Sequence, residues 1–273
     1  MGCSSKVFFS TNPNLWIGRP ASAQNVVPLS PCHLPYGPGQ LRVVGGHINN
    51  AASASAVGLG VVMADSEWVF GTWTTATSTF TADTANAQGG VSDAVVLATT
   101  TTNNRFIIGA KQAFNMFSLD ITTADGGSPV YDVAYWGYPT TGSTASAATW
   151  QTAATNLVAG VLTSTGEAIW VVDAPPRVMV ATTATVKPTG APNGYYLIRV
   201  RATTAATSTA AKLARVYAGV ELIRQSQLAQ HAILTLAGGL GASSRTLTVT
   251  NGIMLGAFFG TANANNNLYL EYE

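Results

Sequence analysis

"FIIGAKQAFNMFSLDITTADGGSPVYDVAYW", running from Phe106 to Trp136, decides the fold. Phe117, Leu119 and Ile121 alternate with Ser118, Asp120 and Thr122, the period of two that a half-buried strand requires. Asp125-Gly126-Gly127 supplies turn chemistry, and residues 130–136 resume as a second strand ending in Tyr135-Trp136. Phe117, Leu119, Ile121 and Tyr135 read as the core of one sheet. Burying a side chain of this size yields ~1.5–3 kcal/mol. The stretch reads as framework, there to be rigid and to present loops.

The same texture extends outward. "TSTGEAIWV" contains a turn and a strand around Trp170, and "ARVYAGVEL" and "NLYLEYE" make further strands. Asn193-Gly194 is a hairpin signal ahead of "YYLIRVRA", and Asn251-Gly252 is the strongest one in the chain. Helical periodicity is weak throughout; "SQLAQHAILTLAG" (226–238) fits a short helix or a strand equally well. Thr, Val, Ile and aromatic residues suit a pleated surface, and many short strands between turns predict an all-β protein, a β-sandwich or jelly roll.

Residues 1–60 read differently. "PLSPCHLPYGPGQ" holds four prolines in thirteen residues, which removes ladder donors. A structureless stretch of this length is unusual inside a compact domain. The expected organisation is an extended irregular N-terminal arm (1–60), a sandwich body (61–225) and C-terminal strands completing or extending it (226–273). Leu34, Tyr36 and Leu41 are the expected arm anchors on a neighbouring subunit, if they do not pack on this chain's own body.

Composition narrows the function classes. The 273 residues carry only 9% charged side chains, 47% hydrophobic ones and a net charge of +1. From Val43 to Asn104 there is no Lys or Arg. Nothing points to nucleic acid, because no basic field is present. So few surface charges suit a protein covered by neighbours, though a Thr-rich β-protein has the same composition. No apolar run is long enough for a membrane span, and no secretory leader is evident. "MGCSSK" looks like an acylation signal at Gly2 and Cys3, but Lys6 stands where Ser or Thr is required.

Candidate chemistry is sparse. Cys3 and Cys32 make no disulfide framework, and His33, His47 and His231 lack metal-ligand spacing. Asp120, Asp125 and Asp132 surround one turn and could offer oxygen to calcium, although Asp at a turn has a local reason to be there. Glu167 and Asp173 could be imagined as a glycosidase pair, a signal any acid-containing chain offers. Trp136, Tyr138, Trp150 and Trp170 could form a sugar-stacking platform; on strands such aromatics are more often core, which is the expectation for Trp136 and Trp170. No phosphate loop or nucleophile elbow is present. No enzyme activity and no cofactor are expected.

The order of Phe106–Gly109, Tyr135-Trp136, Trp150, Gly166 to Trp170 and Tyr196 to Arg199 resembles a β-sandwich domain recurrent in structural proteins of tailed-phage virions. The resemblance spans about 100 residues, Arg105 to Ala202, and departs at Gly137-Tyr138-Pro139, where a long loop begins. It implies a virion structural protein of capsid decoration or cement type, assembled in the host cytoplasm. Such a protein would be a homotrimer bound to the major capsid protein, touching neither nucleic acid nor membrane. The alternative it leaves is a tail, baseplate or fibre component with a glycan-binding sandwich.

Overall fold

The computed structural model describes residues 14–18, 26–28, 39–63, 65–74, 77–97, 100–102, 104–127, 129–139, 147–153, 155–159, 162–172, 179–205, 209–235, 246–249, 253–260, 263 and 265–272. In chain order the strands are β1 (Asn14–Gly18), β2 (Val26–Pro28), β3 (Gly39–Asn49), β4 (Ser55–Met63), β5 (Trp68–Thr74), β6 (Thr79–Ala82), β7 (Val95–Val96), β8 (Asn104–Ala110), β9 (Met116–Thr123) and β10 (Val130–Gly137). They continue as β11 (Thr149–Thr152), β12 (Thr155–Ala159), β13 (Gly166–Val172), β14 (Tyr196–Thr204), β15 (Lys212–Leu228), β16 (Ile233–Thr235), β17 (Thr246–Val249), β18 (Ile253–Phe259) and β19 (Asn267–Tyr272). One short helix, α1 (Thr84–Gly89), follows β6 and ends at Gly90 in the left-handed conformation. The fold is all-β, built of antiparallel sheets in a sandwich-like arrangement.

The chain divides into two compact units, Met1–Ala64 with Glu221–Glu273, and Asp65–Val220. The second boundary falls inside β15. In Asp65–Val220, six strands lie in the order β11-β10-β14-β8-β5-β6, and a second set runs β12-β13-β9-β15 with β7 beside β15. Register places Tyr135, Ile198, Ile108 and Phe70 in one line across four strands of the first sheet. All four are buried, and Phe70 meets Phe106 at 6.0 Å. In the second sheet Phe117 lies opposite both Trp170 and Ala218, and Leu119 opposite Ala168 and Val216, again all buried. In the second sheet each large residue thus has a small neighbour across one of its two strands, Ala218 beside Phe117 and Ala168 beside Leu119, which lets the face fill without overpacking.

The decisive stretch does not fold back on itself. β9 pairs with β13 and β15, whereas β10 pairs with β11 and β14. Phe117, Leu119 and Ile121 thus belong to one sheet and Tyr135 to the other, which corrects the single-sheet expectation. The Asp125-Gly126-Gly127 turn carries the chain between sheets, with Gly127 at φ 84°. Its backbone is held away from β9, Asp125 N–H donating to Leu162 O at 2.8 Å and Gly126 N–H to Thr209 O at 2.9 Å. Asp125 itself is buried; it accepts from the Ala211 N–H at 2.6 Å and from the Tyr131 hydroxyl.

The Asn-Gly signals also resolve differently from hairpins. Asn193-Gly194 bends the chain back on Thr182, whose carbonyl accepts from Gly194 N–H at 2.7 Å, closing a loop rather than a pair of strands. Asn251-Gly252 lies outside the described residues, and the strands flanking it pair elsewhere, β17 with β3 and β18 with β4 and β2. Residues 226–228 end β15 and 233–235 form β16, so 226–238 starts as strand, not helix. Among the described residues the α-helix is α1, which tucks buried Ala87 inward and uses the Thr84 hydroxyl to bridge the Phe70 backbone.

In the other unit the strands run β1-β19-β3-β16, with β17 also on β3, and β4-β18-β2. Val57 and Leu59 lie opposite Phe259 and Ala257, all four fully buried. Asn50 is buried too and donates to Leu228 O at 2.9 Å, and His47 stacks on Tyr269 at 4.9 Å. Residues 39–49 and 55–60, expected in an irregular arm, are thus ladder strands paired with C-terminal ones. The prolines behind that expectation at 31, 35 and 38 lie outside the described residues, as do Leu34 and Tyr36. Leu41 lies on β3, in register with Leu247.

Candidate functional site

The two-residue alternation of the six-stranded sheet sends one set of residues into the line Tyr135–Phe70 and the other to the opposite face. On that opposite face Asp132, Arg201, Arg105, Trp73 and Phe80 stand in one register line across five strands. The neighbouring line holds Ala134, Arg199, Ile107 and Gly71. Farther along, Trp136 lies opposite Trp150. A strand ladder with no special loop thereby gathers three arginines, one aspartate and three tryptophans.

Small residues make the room. A Cβ on Gly71 would stand 2.7 Å from Phe80 Cζ, so the phenyl ring occupies the space a side chain would need. Trp73, Ile107, Trp136, Ala191 and Leu197 form a buried apolar cluster beneath the 180–195 loop, and Trp73 Nε1 donates to Thr189 O at 3.1 Å. The loop is closed by Thr182, whose hydroxyl donates to Pro192 O at 2.6 Å and accepts from Tyr195 N–H at 3.1 Å.

The charges sit at one end of this face. Arg201 Nη2 lies 2.9 Å from Asp132 Oδ2, and Arg199 Nη2 lies 3.9 Å from the same oxygen. The Arg105 guanidinium covers Trp73 at 4.6 Å, and that of Arg199 covers Trp150 at 4.8 Å. Trp150 in turn meets Trp136 edge-on at 5.6 Å and Trp73 at 6.5 Å. Stacking on an indole stabilises a desolvated guanidinium by about 2 kcal/mol and fixes its plane.

Three guanidiniums share one carboxylate. Arg199 is only 9% exposed, and burial pushes its guanidinium down to about 10, with repulsion from Arg105 and Arg201 working against the attraction of Asp132. Arg105 is lowered as well, first by burial and then by Arg201. Several polar atoms are buried without a hydrogen-bond partner: Nε of Arg105, Arg199 and Arg201, Nε1 of Trp136 and Trp150, and Oδ1 of Asp132. An unsatisfied buried polar group costs about 1–3 kcal/mol, and six such atoms stand together on this face. Chemically the face can donate hydrogen bonds to an anion.

Trp136 and Trp150 come together here. Trp170 stacks on Phe117 at 5.2 Å in the other sheet, and the exposed Tyr138 offers its carbonyl to the Tyr135 hydroxyl. Trp136 and Trp170 are both buried, as expected of core. The three acids of the central turn separate: Asp132 joins the arginines, Asp125 braces the turn, and Asp120 lies on β9 opposite Glu167 and Arg215. Among the described residues, no three of His, Cys, Asp or Glu gather as metal ligands. Cys3, Cys32, His33 and Asp173 lie outside the described residues.

Sequence reasoning missed Arg105, Arg199, Arg201 and Trp73. A signal existed: a chain with only 13 Lys and Arg places arginines at alternate positions of "LIRVRA", inside a strand otherwise fit for burial. The pairing that unites these arginines with Asp132 is non-local and has no sequence spacing. No protein-family model, curated protein or solved structure matches the chain, so the face is read from its own geometry.

Proposed function

We propose that the protein is a non-enzymatic structural subunit of a phage virion, of capsid decoration or cement type, acting through contact area with the major capsid protein and with its own copies in a trimer. The observation that carries this reading is the internal use of charge. Lys111 pairs with Glu67 at 3.3 Å, Lys212 with Asp93 at 3.4 Å, Arg215 with Asp65 at 3.1 Å and Arg201 with Asp132 at 2.9 Å. Outside the Arg105–Arg199–Arg201 face, charge paired within the chain leaves small, neutral side chains to meet neighbours, with Val91, Val96 and Val130 more than half exposed. Interface cores are depleted in charge for the same reason: desolvating an ion is costly. A standard specific interface buries ~1,600 Å², and obligate ones more.

The test compares rupture temperatures of shells assembled with and without the protein. Shells carrying it are expected to rupture at a higher temperature; equal temperatures would overturn the cementing role. A second reading, a tail, baseplate or fibre component whose sandwich binds glycan, is favoured by the arginine–tryptophan face. Imaging the protein on the tail rather than on the shell lattice would select it.

A further inference from the structure

We propose that the Arg105–Arg199–Arg201 face, braced by Trp73 and Trp150, binds an acidic saccharide: a sugar carrying a carboxylate beside free hydroxyls. The inference deepens the glycan-binding reading and rests on it.

Three features of the face set the ligand class. The first is charge. Two guanidiniums already converge on one oxygen of Asp132, and the third, Arg105, lies over an indole and feels that carboxylate only at longer range. The cluster therefore carries a surplus of positive charge in a largely desolvated place, where an oxyanion is the complement. The guanidinium fork suits a carboxylate's two oxygens.

The second is the hydrogen-bond inventory. The orphan groups are mainly donors, on three guanidiniums and two indoles, with one orphan acceptor, Asp132 Oδ1. A bare anion can answer the donors and leaves Asp132 unanswered. An acidic sugar supplies both kinds: carboxylate and ring oxygens accept, while a hydroxyl donates to Asp132.

The third is how the indoles are used. Arg105 lies over Trp73 and Arg199 over Trp150, so those faces are occupied by guanidiniums rather than standing free for a sugar ring. Recognition then falls to N–H edges, which select charge and hydroxyl pattern over bulk stacking. A neutral sugar would leave the charge surplus unanswered. Entry is from the Arg201 side, whose side chain is 33% exposed against 11% for Arg199 and 13% for Asp132.

The experiment titrates the full chain by calorimetry with sialyllactose and with a glucuronate-ended disaccharide. Lactose and the matching glucose-ended disaccharide are the neutral controls, and a Glu-rich peptide is the protein-type control. The expected result is saturable binding of an acidic sugar, about tenfold or more tighter than its neutral counterpart. Arg201→Gln should lose about tenfold or more of that affinity, and Arg201→Lys, which keeps charge without the fork, should fall between. Tryptophan fluorescence of the unaltered protein provides a readout independent of any variant, since Trp150 borders the site. It should shift on titration with the acidic sugar only.

Equal affinity for acidic and neutral sugars would overturn the inference while leaving the glycan reading standing. Absence of binding to any sugar by the folded protein would overturn both. Binding of the Glu-rich peptide as tight as that of the sugar would overturn the saccharide in favour of a protein partner.

Discussion

Asp120 shows how one position can be costly where its neighbours are not. It lies on β9 opposite Arg215, yet Arg215 directs its guanidinium to Asp65 and to the Gln88 carbonyl at 3.1 Å. Burial without a compensating charge pushes the Asp120 carboxyl above its ordinary 3.8. A raised carboxyl holds its proton longer in the folded state than in the unfolded one. Stability from this group is therefore present below the ordinary value and is lost as pH rises through the folded one. Asp120→Asn should accordingly be more stable than the parent at pH ~7, with the gap closing toward pH ~3. Urea midpoints at the two values check this, and a gap that widens in acid would contradict it.

At the scale of the element, the turn between β9 and β10 is the feature on which the architecture depends. Alternation specifies two strands there, and Asp-Gly-Gly specifies a turn, but neither states whether the strands pair. The outcome is decided by what braces the turn: buried Asp125 ties the end of β9 to Tyr131 at the start of β10 and to Ala211 just before β15. Asp125→Ala removes the acceptor for both donors and should destabilise the protein by about 1–3 kcal/mol. Asp125→Asn keeps one acceptor oxygen and should lose less. Thermal unfolding of the two variants distinguishes a bracing role from a merely local turn preference, for which both would lose equally. The arginine–tryptophan face depends on the same crossing, because it delivers Asp132 into register with Arg201.

At the scale of the molecule, the unit formed by Met1–Ala64 and Glu221–Glu273 is assembled from the two ends of the sequence. β3 supplies partners to β16, β17 and β19, and β4 supplies one to β18. Deleting residues 1–60 strips those C-terminal strands of their ladders and exposes apolar edges. Exposed edges of that kind promote association between chains. The truncated protein should elute as aggregate in size-exclusion chromatography at concentrations where the full chain does not. A monodisperse, cooperatively melting truncation would show instead that residues 1–60 behave as a detachable arm.

Local chemistry sufficed for the class of structure. Alternating Phe117, Leu119 and Ile121, the scarcity of helical periodicity and the frequent turn residues all specify strands, because burial of one strand face is a nearest-neighbour property of sequence. Core placement of Trp136 and Trp170 was legible for the same reason. Which strands pair was not, as β9 and β10 going to different sheets and β3 meeting β19 both show. Pairing partners are chosen by burial and hydrogen-bond satisfaction summed over residues distant in the chain. The arginines of "LIRVRA" were visible in the sequence, but the assembly of the candidate site lies on that second side: Asp132, Arg201, Arg105 and Trp73 share a line only because four strands from separate parts of the sequence come into one register.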